Sequence, residues 1–160
     1  MGSVSATAPR PGRAVLRAIL WAGFFCGAFD ILAAFIVYWP FGARPIPLLQ
    51  GIAAGLLGHN AYHGGLPTAA LGLFLQFFIA YGAATVYVLA SRVLAFLARS
   101  PLIAGPLYGI AFYFFMQVVV RHSGAIQRPF SLEMTLIGIA IHIFTVGLTI
   151  AFVTKRLAPR

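Results

Sequence analysis

Four apolar runs in this sequence are each long enough to cross a bilayer, which takes roughly 20 helical residues. They cover about residues 14–38, 67–91, 102–120 and 132–154. Lipid offers no partner to backbone polar groups, so a spanning segment is a helix or a barrel strand. These runs lack the alternation of barrel strands. The expected fold class is therefore an all-α membrane protein with four transmembrane helices in a bundle. Composition agrees, because 61% of the residues are hydrophobic and only 8% are charged. A soluble domain of this length needs far more charge to cover its surface.

The spans divide the chain into a basic tail, residues 1–13, and a single transmembrane domain, residues 14–157. Arg10, Arg13 and Arg17 ahead of an apolar run resemble the start of a signal peptide. The run is too long for such a segment and no small-x-small site follows, so an uncleaved first helix is expected. Trp39-Pro40 stops this helix. Pro67 suits a first helical turn, and Ser131 suits an N-cap.

Orientation is read from the cations, which gather on the cytoplasmic side. Arg10, Arg13, Arg17, Arg92, Arg99, Lys155, Arg156 and Arg160 fall on one side of a four-span arrangement. Arg44, Arg121 and Arg128 fall on the other. Both termini are thus expected in the cytoplasm, with Tyr38, Trp39, Phe41 and Tyr62 as aromatic anchors at the outer interface. The net charge of +9 does not suggest nucleic acid, because the basic residues stand at span ends and form no stripe. The lone cysteine, Cys26, excludes an intrachain disulfide.

The outer connection contains "PIPLLQGIAAGLLGHNAYHGG". Leu48, Leu49, Ile52, Leu56 and Leu57 share one helical side, opposite Gly51, Gly55 and Gly58. This pattern predicts a short interfacial or re-entrant helix over about residues 47–60, between the first two spans.

Ionisable groups inside a membrane usually face the bundle interior with a partner. Asp30 lies thirteen positions after Arg17, and His142 thirteen before Lys155. Both are therefore roughly 20 Å from the inner interface at the rise of an α-helix. Gln76 and Tyr113 fall within about one turn of that depth. Small residues flank each, as in the stripes Gly23, Cys26, Gly27, Asp30 and Thr135, Gly138, His142, Thr145, Thr149. The expectation is a buried polar layer of Asp30, Gln76, Tyr113 and His142, with Asp30 bonded directly to His142. Such a layer either fixes helix register or serves as a proton or substrate site; alternatively, Asp30 faces a partner subunit.

A second group lies toward the outer face. His59 and His63 are spaced i, i+4, His122 follows the third span, and Glu133 opens the fourth. Together they are the candidate ligands for Zn²⁺ or Cu²⁺. Their origin in separate loops favours interfacial or capping roles, so no metal and no cofactor is expected. Glu133 also suits a helix N-terminus on its own. No phosphate-binding glycine loop is present, haem would lack a second deep histidine, and no deep serine accompanies His142.

The stretch "LLQGIAAGLLGHNAYHGGLPTAALGLFLQFFIAYGAATVYVLA", followed by "PLIAGPLYGIAFYFFMQVVV", resembles a group of small uncharacterised bacterial inner-membrane proteins with a broad four-span, YagU-like layout. The resemblance rests on packing motifs and implies the fold and a bacterial inner-membrane location. It implies no activity and no catalytic residues. The expected function is a non-enzymatic integral membrane protein, an accessory or scaffolding subunit or homo-oligomer. The alternative is a small proton-coupled transporter or channel-like carrier using Asp30 and His142.

Overall fold

The structure, a computed structural model, describes residues 11–125 and 129–158. Every regular element among them is helical. Helix α1 (Pro11–Tyr38) ends in a 3₁₀ turn, Trp39–Phe41, where Pro40 withholds a backbone donor. Gly42 at φ 84° reverses the chain, and its N–H closes the turn on Trp39 O. Helix α2 (Pro45–Leu57) starts with proline in its first turn, after an extended Arg44. It stops at Gly58, whose φ of 60° and ψ of −148° lie outside helical space. The rest of the connection, Gly58–His63, is a 3₁₀ stretch. The expected helix over residues 47–60 is thus present but shifted, and "HNAYH" is not α-helical.

Helix α3 (Gly65–Val93) is the second span. A five-residue helix α4 (Ala95–Arg99) leads to α5 (Pro101–Arg121), the third span, which contains Pro106. The fourth span, Leu132–Leu157, has three parts: α6 (Leu132–His142), a π-helical turn (Ile143–Leu148) and α7 (Thr149–Leu157). Ser131 caps α6, its side-chain oxygen accepting from Met134 N at 3.4 Å. The four long helices are each apolar enough to cross a membrane.

Helix α1 lies between α3 and the fourth span; α5 packs on the π turn, and α2 folds back against α3. The shared interior holds mostly small residues: Ala22, Cys26, Ala80, Ala83, Ala84, Ala104 and Ala151, with Tyr87, Val146 and Ile150 among them. Large apolar side chains such as Phe29, Phe74, Phe78, Phe115 and Phe144 point outward. This arrangement suits lipid, where helices associate by close backbone approach and gain nothing from hiding leucines from tails of equal polarity. Two contacts carry the closeness furthest. Gly147 meets the Gly105 backbone, and Gly72 meets the backbone of Leu49.

The cations sort to two ends. Ala18, Val88 and Ala158 pack together, which places Arg17, Arg92, Lys155 and Arg156 at one end. At the other end Gly124 N donates to Gly55 O at 3.0 Å, joining the segment after α5 to α2. Arg44 sits there, its guanidinium 4.3 Å from the Trp39 ring centre. The predicted contributions of Arg10, Arg128 and Arg160 lie outside the described residues, as does most of the basic tail.

Candidate functional site

The inward stripe of α1 leads to Asp30. Cys26, one turn earlier, is 1% exposed, and Asp30 itself is half-buried. Glycines at 23 and 27 admit the rings of Tyr81 and Phe77 from α3, so the two helices approach closely on this face. The approach brings Gln76 within reach. Its Nε2 donates to Asp30 Oδ2 at 2.9 Å. From the opposite side Thr145 Oγ1 donates to Asp30 Oδ1 at 2.7 Å. The same hydroxyl oxygen lies 2.8 Å from Ile141 O. One carboxylate therefore links three spans, each oxygen serving a different one. Hydrogen bonds to a charged group contribute about 1.5–3 kcal/mol each, comparable with the roughly 2.5–3.5 kcal/mol cost of a lone charge at the bilayer centre.

Of the expected layer, Gln76 joins Asp30 and the other two residues do not. His142 does not bond Asp30. Its Nδ1 pairs with Gly138 O at 2.8 Å, and its ring packs on Phe112 and Tyr113 of α5. The physical reason is local. The π turn begins directly after His142, and its wider coil re-aims the residues that follow. His142, before the turn, stays on the α5 side, and Thr145, inside it, takes the position facing α1. Tyr113 belongs to the same α5 interface. Its ring covers Gly138, and its hydroxyl accepts from Gln117 Nε2 at 2.6 Å. Thr145 lies on the polar stripe visible in the sequence. A threonine in a helix ordinarily bonds the carbonyl four residues back, so nothing in the sequence ranks it above a histidine.

The candidate metal ligands are not assembled. The His59 and His63 rings meet edge to face, with centres 5.3 Å apart. His122 Nδ1 pairs with Val118 O at 2.9 Å, at the end of α5. Glu133 is exposed in the first turn of α6. Among the described residues no three His, Cys, Asp or Glu side chains come together in a way that holds a metal ion.

Two tyrosines complete the polar interior. Tyr108 donates its hydroxyl to Ala83 O at 2.8 Å, and Tyr87 donates to Leu97 O at 2.9 Å. Their rings meet edge to face at 5.0 Å. They join α5 and α4 to α3 one layer away from Asp30. Among the described residues, every fully buried side-chain polar atom has a partner.

The four apolar helices define the class: this is an integral, multi-pass α-helical membrane protein. No protein-family model matches the sequence, and no curated protein or solved structure is detectably similar to it.

Proposed function

We propose that the protein is a non-enzymatic bacterial inner-membrane protein of the YagU-like four-span layout. In this reading it acts as an accessory or scaffolding subunit, as a homo-oligomer or within a complex. The supporting observation is the use made of Asp30. Both of its oxygens are engaged by side chains of the same chain, one from α3 and one from the fourth span. A carboxylate held this way fixes the register of three helices. The cation-rich end, with Arg17, Arg92, Lys155 and Arg156, faces the cytoplasm in this reading.

A scaffold needs something to hold. Extraction from native membranes in a lipid-retaining polymer, followed by mass measurement of the particles, tests this. The expected result is a defined assembly containing more than one polypeptide, either copies of this chain or a fixed partner. Particles holding a single 17.1 kDa chain and lipid would overturn the proposal.

A further inference from the structure

We propose that Asp30 and Thr145 form a reversible proton-binding site whose occupancy is read out at the Ile141 carbonyl. The inference is independent of the scaffold reading, because it concerns the chemistry of one side-chain pair and holds for a lone chain or an assembly.

The argument starts from hydrogen counting. Thr145 Oγ1 carries one proton and has two acceptor oxygens within reach, Asp30 Oδ1 at 2.7 Å and Ile141 O at 2.8 Å. It can donate to only one at a time. When Asp30 is ionised, the hydroxyl donates to Oδ1, and the bond is charge-assisted. When Asp30 takes up a proton on Oδ1, that O–H donates to Thr145 Oγ1. The Thr145 hydroxyl proton then rotates to Ile141 O. Gln76 Nε2 continues to donate to Oδ2, which remains an acceptor in a neutral carboxyl group. One proton enters, one hydroxyl reorients, and no heavy atom moves. Both protonation states are fully satisfied in the same geometry.

The surroundings leave that choice open. The hydrogen-bond partners of Asp30, Gln76 and Thr145, are both neutral, so no ion pair locks the ionised form. The other titratable groups near the site are engaged elsewhere or buried in apolar contact. On α1, Cys26 is buried one turn away. On α3, Tyr81 lies with its ring on Gly23. On the fourth span, His142 is paired with Gly138 O. On α5, the Tyr108 hydroxyl is given to Ala83 O and that of Tyr113 accepts from Gln117. The cations Arg17, Arg92, Lys155 and Arg156 gather at the bundle end. Thr145 itself sits in the π turn, and such turns occur frequently at functional sites.

The sequence makes the test clean. Asp30 is its only aspartate, and Ile141-His142 is its only Ile-His pair. Protein carrying ¹³C-aspartate, ¹³C-carbonyl isoleucine and ¹⁵N-histidine, reconstituted in lipid nanodiscs, reports both groups as single resonances. The expected result is a reversible shift of the Asp30 carboxyl resonance with pH, followed at the same midpoint by the Ile141 carbonyl. In Thr145→Val the carboxyl resonance still responds to pH, because Gln76 is left in place. The Ile141 signal then ceases to follow, and Thr145→Ser restores it. An Asp30 resonance that stays fixed over the whole range in which circular dichroism shows an intact bundle overturns the proposal. So does an Ile141 carbonyl that is silent while Asp30 titrates in the unsubstituted protein, which needs no variant to fold.

Discussion

Gly147 in the π turn lies against the backbone of Gly105 in α5, with no room for a side chain between them. A Cβ added at Gly147 meets the Gly105 carbonyl and the Gly109 backbone nitrogen. These are backbone atoms, so relief requires separating two spans. A Cβ at Gly105 is less obstructed, since its nearest atoms are the Leu148 side-chain tip at 3.0 Å and the backbone of Gly147 and Leu148 at 3.1 Å, none of them overlapping as deeply. Gly147→Ala is therefore expected to destabilise the bundle by about 1–3 kcal/mol, the usual range for overpacking, and Gly105→Ala by less. Unfolding in a mild detergent at graded denaturant measures both. Equal effects would contradict the asymmetry.

The α2–α3 seam offers an internal control. Gly72 touches the Leu49 backbone, whereas a Cβ at Gly82, on the same helix, meets nothing. Gly72→Ala should loosen α2 and expose its buried face, seen as faster labelling of a cysteine placed at Ala53 or Ala54 in a Cys26→Ala background. Gly82→Ala should leave labelling unchanged and raise stability by up to about 1 kcal/mol through helix propensity. Unchanged labelling in Gly72→Ala would show that the seam tolerates the extra carbon.

The partners of Asp30 can be separated energetically. Asp30→Ala combined with Thr145→Val should show a coupling of about 0.5–3 kcal/mol, as residues that share a hydrogen bond do. Asp30→Ala combined with His142→Ala should be additive within about 0.5 kcal/mol, because those side chains share no partner. The two cycles, run by the same unfolding assay, would reverse if His142 were the true donor to Asp30.

The basic end carries the topological expectation. An enzyme reporter active only outside the cytoplasm, fused after Arg160, should give no signal, and the same reporter inserted at Gly42 should be active. The opposite pattern would reverse the orientation without altering the fold.

The spans were legible because hydropathy acts over twenty residues at a time and prolines at 40 and 67 punctuate it locally. Helix α2 was legible from its leucine and glycine sides, although its end depended on a backbone angle at Gly58 that composition does not encode. At the site, the sequence identified Asp30 and Gln76 by depth and face. It misassigned His142 because the reading assumed an uninterrupted α-helix from Leu132 to Thr154. The π turn breaks that assumption. It packs on Gly105 and Gly109 from a distant part of the chain, and no local propensity announces it. A histidine also looks like the better partner for an acid in a list of residues. The geometry instead favoured a hydroxyl three positions along.

The small-in, large-out packing carries an evolutionary consequence. In a water-soluble domain, drift is freest on the surface and interior side chains trade volume with one another. In this bundle alanine and glycine seams already sit near the minimum size, so most substitutions there can only add bulk. Outward phenylalanines and leucines face a solvent indifferent to which of them it meets. Divergent copies of such a protein should thus keep their smallest residues and exchange their largest. A similarity measure that rewards shared aromatic and aliphatic bulk would discard the signal that persists.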